Sequence, residues 1–151
     1  SPFNAWVLSK SLETLAVRVD RHCDNAFTIA EKLEVSQNIN WVKYPFLKSH
    51  PQYALAKKQM LKGGNIIAFE LIGGLEAGQN FINAIELCSL SSNLGDSRTI
   101  ITHPASTTHS KLTKEDRMAV GITDGMIRLS IGLEHPEDIW NDLKNALSKI
   151  G

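Results

Sequence analysis

Apolar residues recur along this chain with two different periods, and the switches between them mark out its elements. Across 2–37, Leu12, Leu15, Ala16, Val19, Cys23, Ala26, Ala30 and Leu33 fall three and four residues apart, with Arg18, Asp20, Arg21, Asp24, Glu31 and Lys32 mostly off that stripe. Such spacing gathers one face of an α-helix. Ser1-Pro2 has the form of a helix start, a capping hydroxyl ahead of a proline in the first turn. The stretch is longer than one globular helix usually runs, so a kink or a junction of two helices is expected near 10–13.

Past the breaker Asn38-Ile39-Asn40, residues 41–44 read as a short strand ended by Pro45. His50-Pro51 opens a helix over 52–61, which Gly63-Gly64 stops. The run IIAFEL at 66–71 is almost continuously apolar and of strand length, which suits a central strand. Residues 75–87 return to helical spacing, with Leu75, Gly78, Phe81, Ile82 and Ile85 inward, and 89–94 suggests a strand before the Gly95-Asp96 turn. Neither period holds over 97–112, SRTIITHPASTTHSKL, which reads as a short extended piece at 99–102 followed by a long polar loop. Loops of that length in compact domains are commonly functional. A short helix from Thr113 to Ala119 follows, with Asp116 at capping-box spacing from Thr113. After a strand over 126–131, Pro136 opens a terminal helix with Glu137 and Asp138 in its first turn and Ile139, Leu143, Ala146, Leu147 and Ile150 inward. This order predicts an α+β two-layer sandwich, a mostly antiparallel sheet with helices on one face and the other face open.

The 126–131 strand carries the one unusual residue. Ile127, Leu129 and Ile131 share a face suited to the core, which leaves Met126, Arg128 and Ser130 on the other. A guanidinium in mid-strand is uncommon, and a planar fork on rigid backbone suits two-pronged binding of a carboxylate or phosphate. The turn at 93–96 and the polar loop are its expected neighbours. The plainer alternative is an edge-strand arginine that faces water or pairs with an acid.

Composition narrows the classes. With 151 residues the chain has room for one domain with a proper core, and 42% hydrophobic and 21% charged residues are ordinary for a globular fold. A formal net charge of zero argues against nucleic-acid and membrane-surface partners. No apolar run approaches the ~18 residues that span a bilayer, and no basic-then-apolar leader opens the chain. Cys23 and Cys88 lie outside any C-x-x-C pattern and are expected to be buried, reduced thiols of a cytoplasmic protein. His103, His109 and His135 lack zinc-site spacing, so surface or capping roles are expected and no metal site. There is no G-x-S-x-G elbow, no phosphate-binding glycine loop and no paired-carboxylate pattern. The chain offers a binding feature without a complete catalytic apparatus.

Three motifs extend this reading. GITDGMIRLSIGLEHPEDIWNDL, NLGDSRTIITHPASTTHS and the opening SPFNAWVLSKSLETLAVRVDRH closely resemble the carboxy-terminal portion of the Cys/Met-metabolism pyridoxal-phosphate (PLP) enzymes. These include cystathionine γ-synthase, the cystathionine lyases, methionine γ-lyase and the homoserine-ester sulfhydrylases. The resemblance covers essentially all of 1–151 and implies the small carboxy-terminal, substrate-binding domain of PLP fold type I, led by the long helix at 2–37. It implies that Arg128 binds the substrate's α-carboxylate, with Asn93 and Thr108 assisting. The family often has Ser where this chain has Asn93. Asn before L-G-D, with SPFNAW, is closer to the O-succinylhomoserine and O-acetylhomoserine sulfhydrylases of methionine biosynthesis. The lyases and cystathionine γ-synthase are the alternatives within the family, and a non-enzymatic α+β binding or assembly module is the alternative outside it. The family's Schiff-base lysine and phosphate-binding residues belong to the larger preceding domain. Lys111, after Ser110, is therefore expected to be a solvated loop lysine, and PLP to be absent as a covalent adduct of this chain. The intact enzyme, by resemblance, is a homotetramer that uses PLP, a homoserine ester and a sulfur donor.

Overall fold

The structure is a computed structural model and describes residues 1–150. Its elements run α1 (Pro2–Glu13), α2 (Leu15–Glu34), β1 (Ile39–Lys43), α3 (Tyr53–Gln59), β2 (Ile66–Leu71), α4 (Gly74–Ala84), β3 (Ser89–Leu90), β4 (Ile100–Thr102), α5 (Lys114–Ala119), β5 (Met126–Ser130) and α6 (Pro136–Leu147). The sheet has the order β1-β2-β5-β4-β3; every pairing is antiparallel except β3 with β4, which is parallel. The α+β two-layer arrangement expected from the sequence is the one found.

The core lies between the sheet and α2, α4 and α6. Ile67, Phe69 and Leu71 of β2, Ile101 of β4, and Ile127 and Leu129 of β5 with Ile131 just beyond it point inward by strand alternation. They meet Ala26, Ile29, Ala30 and Leu33 of α2, Phe81 of α4, and Ile139, Leu143 and Ala146 of α6. Phe69 and Phe81 pack edge to face with centroids 5.9 Å apart, a favoured arrangement for two ring quadrupoles. Burying a side chain of this size stabilises the fold by about 1.5–3 kcal/mol.

Polar anchors tie the helices to the ends of the sheet. On α2, His22 Nδ1 donates to the Ile131 carbonyl at 2.6 Å, and Asn25 Nδ2 donates to the carbonyls of Gly132 and Glu134 at 3.0 and 2.8 Å. On α6, the buried carboxylate of Asp142 accepts the main-chain N–H groups of Glu86, Leu87 and Cys88 at 2.9, 3.0 and 3.0 Å. That ends α4 at Ala84 and turns the chain toward β3.

Several expected boundaries shift. The long helix breaks at Thr14, one residue past the expected window, and Arg18 braces the joint by donating to Thr14 Oγ1 and the Ser11 carbonyl. It ends at Glu34, short of 37. Its apolar stripe is buried only from Cys23 onward; Leu12, Leu15 and Val19 are exposed, and α1 buries none of its residues. Leu75 of α4 is likewise exposed. The strand expected over 89–94 is only two residues long, because the chain leaves β4 after the Ser91 amide, which donates to the Ile101 carbonyl at 3.3 Å, and then turns. Caps formed as expected at Ser1, Thr113 and His135.

Candidate functional site

Arg128 sits on β5, the third of five strands, so it is not an edge-strand arginine. It faces Ala68 of β2 and Thr102 of β4 across the ladders, on the sheet face away from the helices. Its Nη2 donates to the Ser92 carbonyl at 2.9 Å, with the Asn93 carbonyl at 3.5 Å and Thr102 Oγ1 at 3.4 Å. None of the ion pairs among the described residues includes it. Nε is buried without a partner, and no hydrogen bond among the described residues engages Nη1. One nitrogen thus fixes the guanidinium and the positive charge stays uncompensated, which suits an incoming anion.

The residues after Arg128 build this setting. Ser130 Oγ accepts the Gly95 amide. At Gly132 an added Cβ would collide with the main chain of Arg98 and Thr99, so the close approach requires glycine. Glu134 accepts Thr99 N at 2.7 Å and Thr99 Oγ1 at 2.9 Å. R-L-S-I-G-L-E is therefore one outward cation followed by three fastenings to the 91–99 segment.

Of the other residues singled out from sequence, Asn93 lies beside the guanidinium through its main-chain carbonyl, and its exposed side chain is unbonded among the described residues. Thr108 is exposed, its hydroxyl bonded to His109 Nδ1 at 2.8 Å, and no hydrogen bond joins it to Arg128. Two neighbours were missed. Thr102 shares the open face with Arg128, a position that the alternation of T-I-I-T could have given once β4 was paired with β5. Ser92 contributes only its carbonyl, for which no side-chain signal exists.

His103 corrects the expectation of a surface histidine. It is fully buried, with Nε2 donating to the Asp124 carbonyl at 2.7 Å and Nδ1 accepting from Ser106 Oγ at 2.8 Å. The ring packs where Gly78 of α4 has no Cβ. Burial pushes its pKa below the ordinary histidine value, since the charged ring would lose water. Asp124 in turn pairs with Lys114 at 2.8 Å and Arg117 at 2.6 Å, which hold its carboxyl below the usual range. The polar loop is thereby fixed to the turn that starts β5.

Cys23 and Cys88 are both buried and unpaired, and burial raises both thiols. Among the described residues no group of three His, Cys, Asp or Glu side chains is placed to hold a metal ion, and no helix is long and apolar enough to cross a membrane. Lys111 is exposed, and no lysine among the described residues is buried. A lysine that carries a cofactor as an imine depends on desolvation to lower its pKa. These residues alone do not fit that covalent seat, whereas Arg128 fits a carboxylate.

Comparison with known proteins identifies a family. The family described as Cys/Met metabolism PLP-dependent enzyme matches residues 1–148. L-methionine gamma-lyase of Porphyromonas gingivalis is 51% identical over 150 residues, 99% of this chain and 38% of the relative. O-acetyl-L-homoserine sulfhydrylase of Leptospira meyeri is 46% identical over 152 residues, 99% of this chain and 34% of the relative. The crystal structure of cystathionine gamma synthase from Xanthomonas oryzae pv. oryzae in complex with cystathionine superposes with a TM-score of 0.90 at 42% identity, over 99% of this chain and 39% of that one. This chain therefore spans well under half the length of the relatives it matches.

Proposed function

This chain belongs to the Cys/Met metabolism PLP-dependent enzymes, and on that premise we propose that it is the carboxy-terminal, substrate-carboxylate-binding domain of a homoserine-ester sulfhydrylase. The observation that carries the reading is Arg128, a strand-held guanidinium on the open sheet face with no acid paired to it among the described residues. In the whole protein this domain would sit against a larger preceding one, which would hold PLP through its own lysine. The exposed apolar side chains of α1 and early α2, among them Phe3, Trp6, Leu8 and Leu12, support such a neighbour.

When bound, the cofactor supplies the electron sink for bond breaking at the substrate's α-carbon. The part played by this chain is binding and orientation. Arg128 holds the α-carboxylate by two parallel hydrogen bonds, which fixes the rotation of the amino acid and so the direction of its amine and its Cα–H bond. Asn93, on the turn beside Arg128, would shape the entrance, with Thr108 of the polar loop assisting. The reaction is γ-replacement: the Cγ–O bond of the homoserine ester breaks, the acyl group leaves with that oxygen as a free carboxylate, and sulfide forms the new Cγ–S bond to give homocysteine.

Asn93 ahead of L-G-D favours the sulfhydrylase reading. A second reading, γ-elimination from methionine, is favoured by the 51% identity to a methionine gamma-lyase. The full-length protein, upstream chain included and loaded with PLP, separates them. Homocysteine formation from an acyl-homoserine and sulfide, well ahead of methanethiol release from methionine, is the expected result. Faster methanethiol release would overturn the sulfhydrylase reading in favour of the lyase.

A further inference from the structure

The turn over 91–95 is fastened to the sheet at both ends, one fastening on each side of Arg128. At its start Thr102 Oγ1 donates to the Ser91 carbonyl. At its end the Gly95 amide donates to Ser130 Oγ at 3.0 Å. Asn65 Nδ2 donates to the same oxygen at 3.2 Å, so Ser130 is steadied from the opposite side. Thr102 stands directly across the ladder from Arg128, and Ser130 follows Arg128 by two residues on the same face. Thr102 and Ser130 are 2% and 1% exposed.

Besides these fastenings the turn is held by the Ser91 amide, which donates to the Ile101 carbonyl at 3.3 Å, and by the Asn93 amide, which donates to Ser91 Oγ at 3.2 Å. Ser92, Asn93, Leu94 and Gly95 are all exposed, and Gly95 takes a left-handed φ of +76°. From the turn, only the Ser92 and Asn93 carbonyls meet the guanidinium, and Thr102 Oγ1 meets the same nitrogen at 3.4 Å. Where those carbonyls lie depends on the two buried hydroxyls. Arginine is long and flexible, so a site that orders it in advance spares that cost at each binding event.

We propose that Thr102 and Ser130 are positioning residues for substrate recognition: they clamp the 91–95 turn so that its carbonyls orient Arg128 Nη2 through one of its two hydrogens and keep the guanidinium set for the substrate carboxylate. The inference rests on the reading of Arg128 as the carboxylate ligand.

The test uses the full-length, PLP-loaded protein. Thr102→Val keeps the side chain's shape and removes its hydroxyl, Thr102→Ser restores the hydroxyl, and Ser130→Ala removes the other clamp. In Thr102→Val and Ser130→Ala, KM for the amino-acid substrate is expected to rise about tenfold while kcat stays within about threefold, and Thr102→Ser stays near wild type. Amide hydrogen exchange across 91–95 is expected to speed up in the same two variants and not in Thr102→Ser. A merely structural role would lower the melting temperature without parting KM from kcat. If Ser130→Ala does not fold, the two Thr102 variants decide. Wild-type KM in Thr102→Val beside a raised KM in Arg128→Lys would overturn the clamp and leave the carboxylate reading standing. An unchanged KM in Arg128→Lys would overturn the carboxylate reading and the clamp with it.

Discussion

Arg128 Nη2 donates to the main-chain carbonyl of Ser92 at 2.9 Å. A strand-held cation is thus fixed by a backbone acceptor and keeps its charge, whereas a carboxylate in that place would have cancelled it. The turn that supplies the carbonyl also carries Asn93, whose side chain is exposed and free of hydrogen bonds among the described residues. Asn93→Ala is therefore expected to change stability by less than about 0.5 kcal/mol, as surface substitutions do. In the full-length enzyme it should still raise KM for the amino-acid substrate. Thermal denaturation and steady-state kinetics on the same preparation check both halves.

Asp142 collects three main-chain N–H groups, from Glu86, Leu87 and Cys88, on one buried carboxylate. Asp142→Ala leaves all three donors without that acceptor. Each hydrogen bond to a charged group contributes about 1.5–3 kcal/mol, but water reaches exposed Glu86 and Leu87, so a total loss of about 2–4 kcal/mol is expected. Asp142→Asn keeps one carbonyl oxygen and should lose less. Denaturant midpoints of the two variants give the order.

His103 makes stability depend on pH. Its pKa in the fold lies below the ordinary value of 6.5, so near that pH the unfolded chain binds the proton more readily than the folded one. Stability from this group is full above about pH 6.5 and is lost as pH falls from there toward the depressed folded value. Asp124, also depressed, acts in a separate window: its contribution is lost only as pH drops below the ordinary aspartate value of 3.8. His103→Gln should lower stability at pH 7.5 and flatten its fall between pH 7 and pH 5, a window set by the ordinary histidine pKa of about 6.5. A melting temperature measured across that range in both proteins is the check, and parallel curves would count against His103 as the source.

Elements with a strict period could be read from the sequence. IIAFEL is an almost continuous apolar run of strand length, the 126–131 strand alternates, and α6 carries its stripe from Ile139 to Leu147, so the layers and the face of Arg128 followed from run length and side-chain geometry. Periodicity could not tell which part of a stripe is buried: Leu12, Leu15 and Val19 continue the pattern of α2 but stay exposed. Buried polar anchors were hidden for the opposite reason. His22, Asn25 and His103 look like surface residues until the carbonyls they bond, up to 109 positions away, are folded onto them. The surroundings of Arg128 were half legible. The strand and the turn could be named, but Ser92 acts through its carbonyl and Thr102 through a pairing register that local pattern does not encode.

The claim on which the account turns is that Arg128 binds the substrate's carboxylate with both prongs, and Arg128→Lys in the full-length, PLP-loaded enzyme tests it most directly. A lysine keeps the charge but cannot make two parallel hydrogen bonds, so kcat/KM for the amino-acid substrate should fall about 100-fold, mainly through KM. The same kcat/KM in variant and wild type would contradict it.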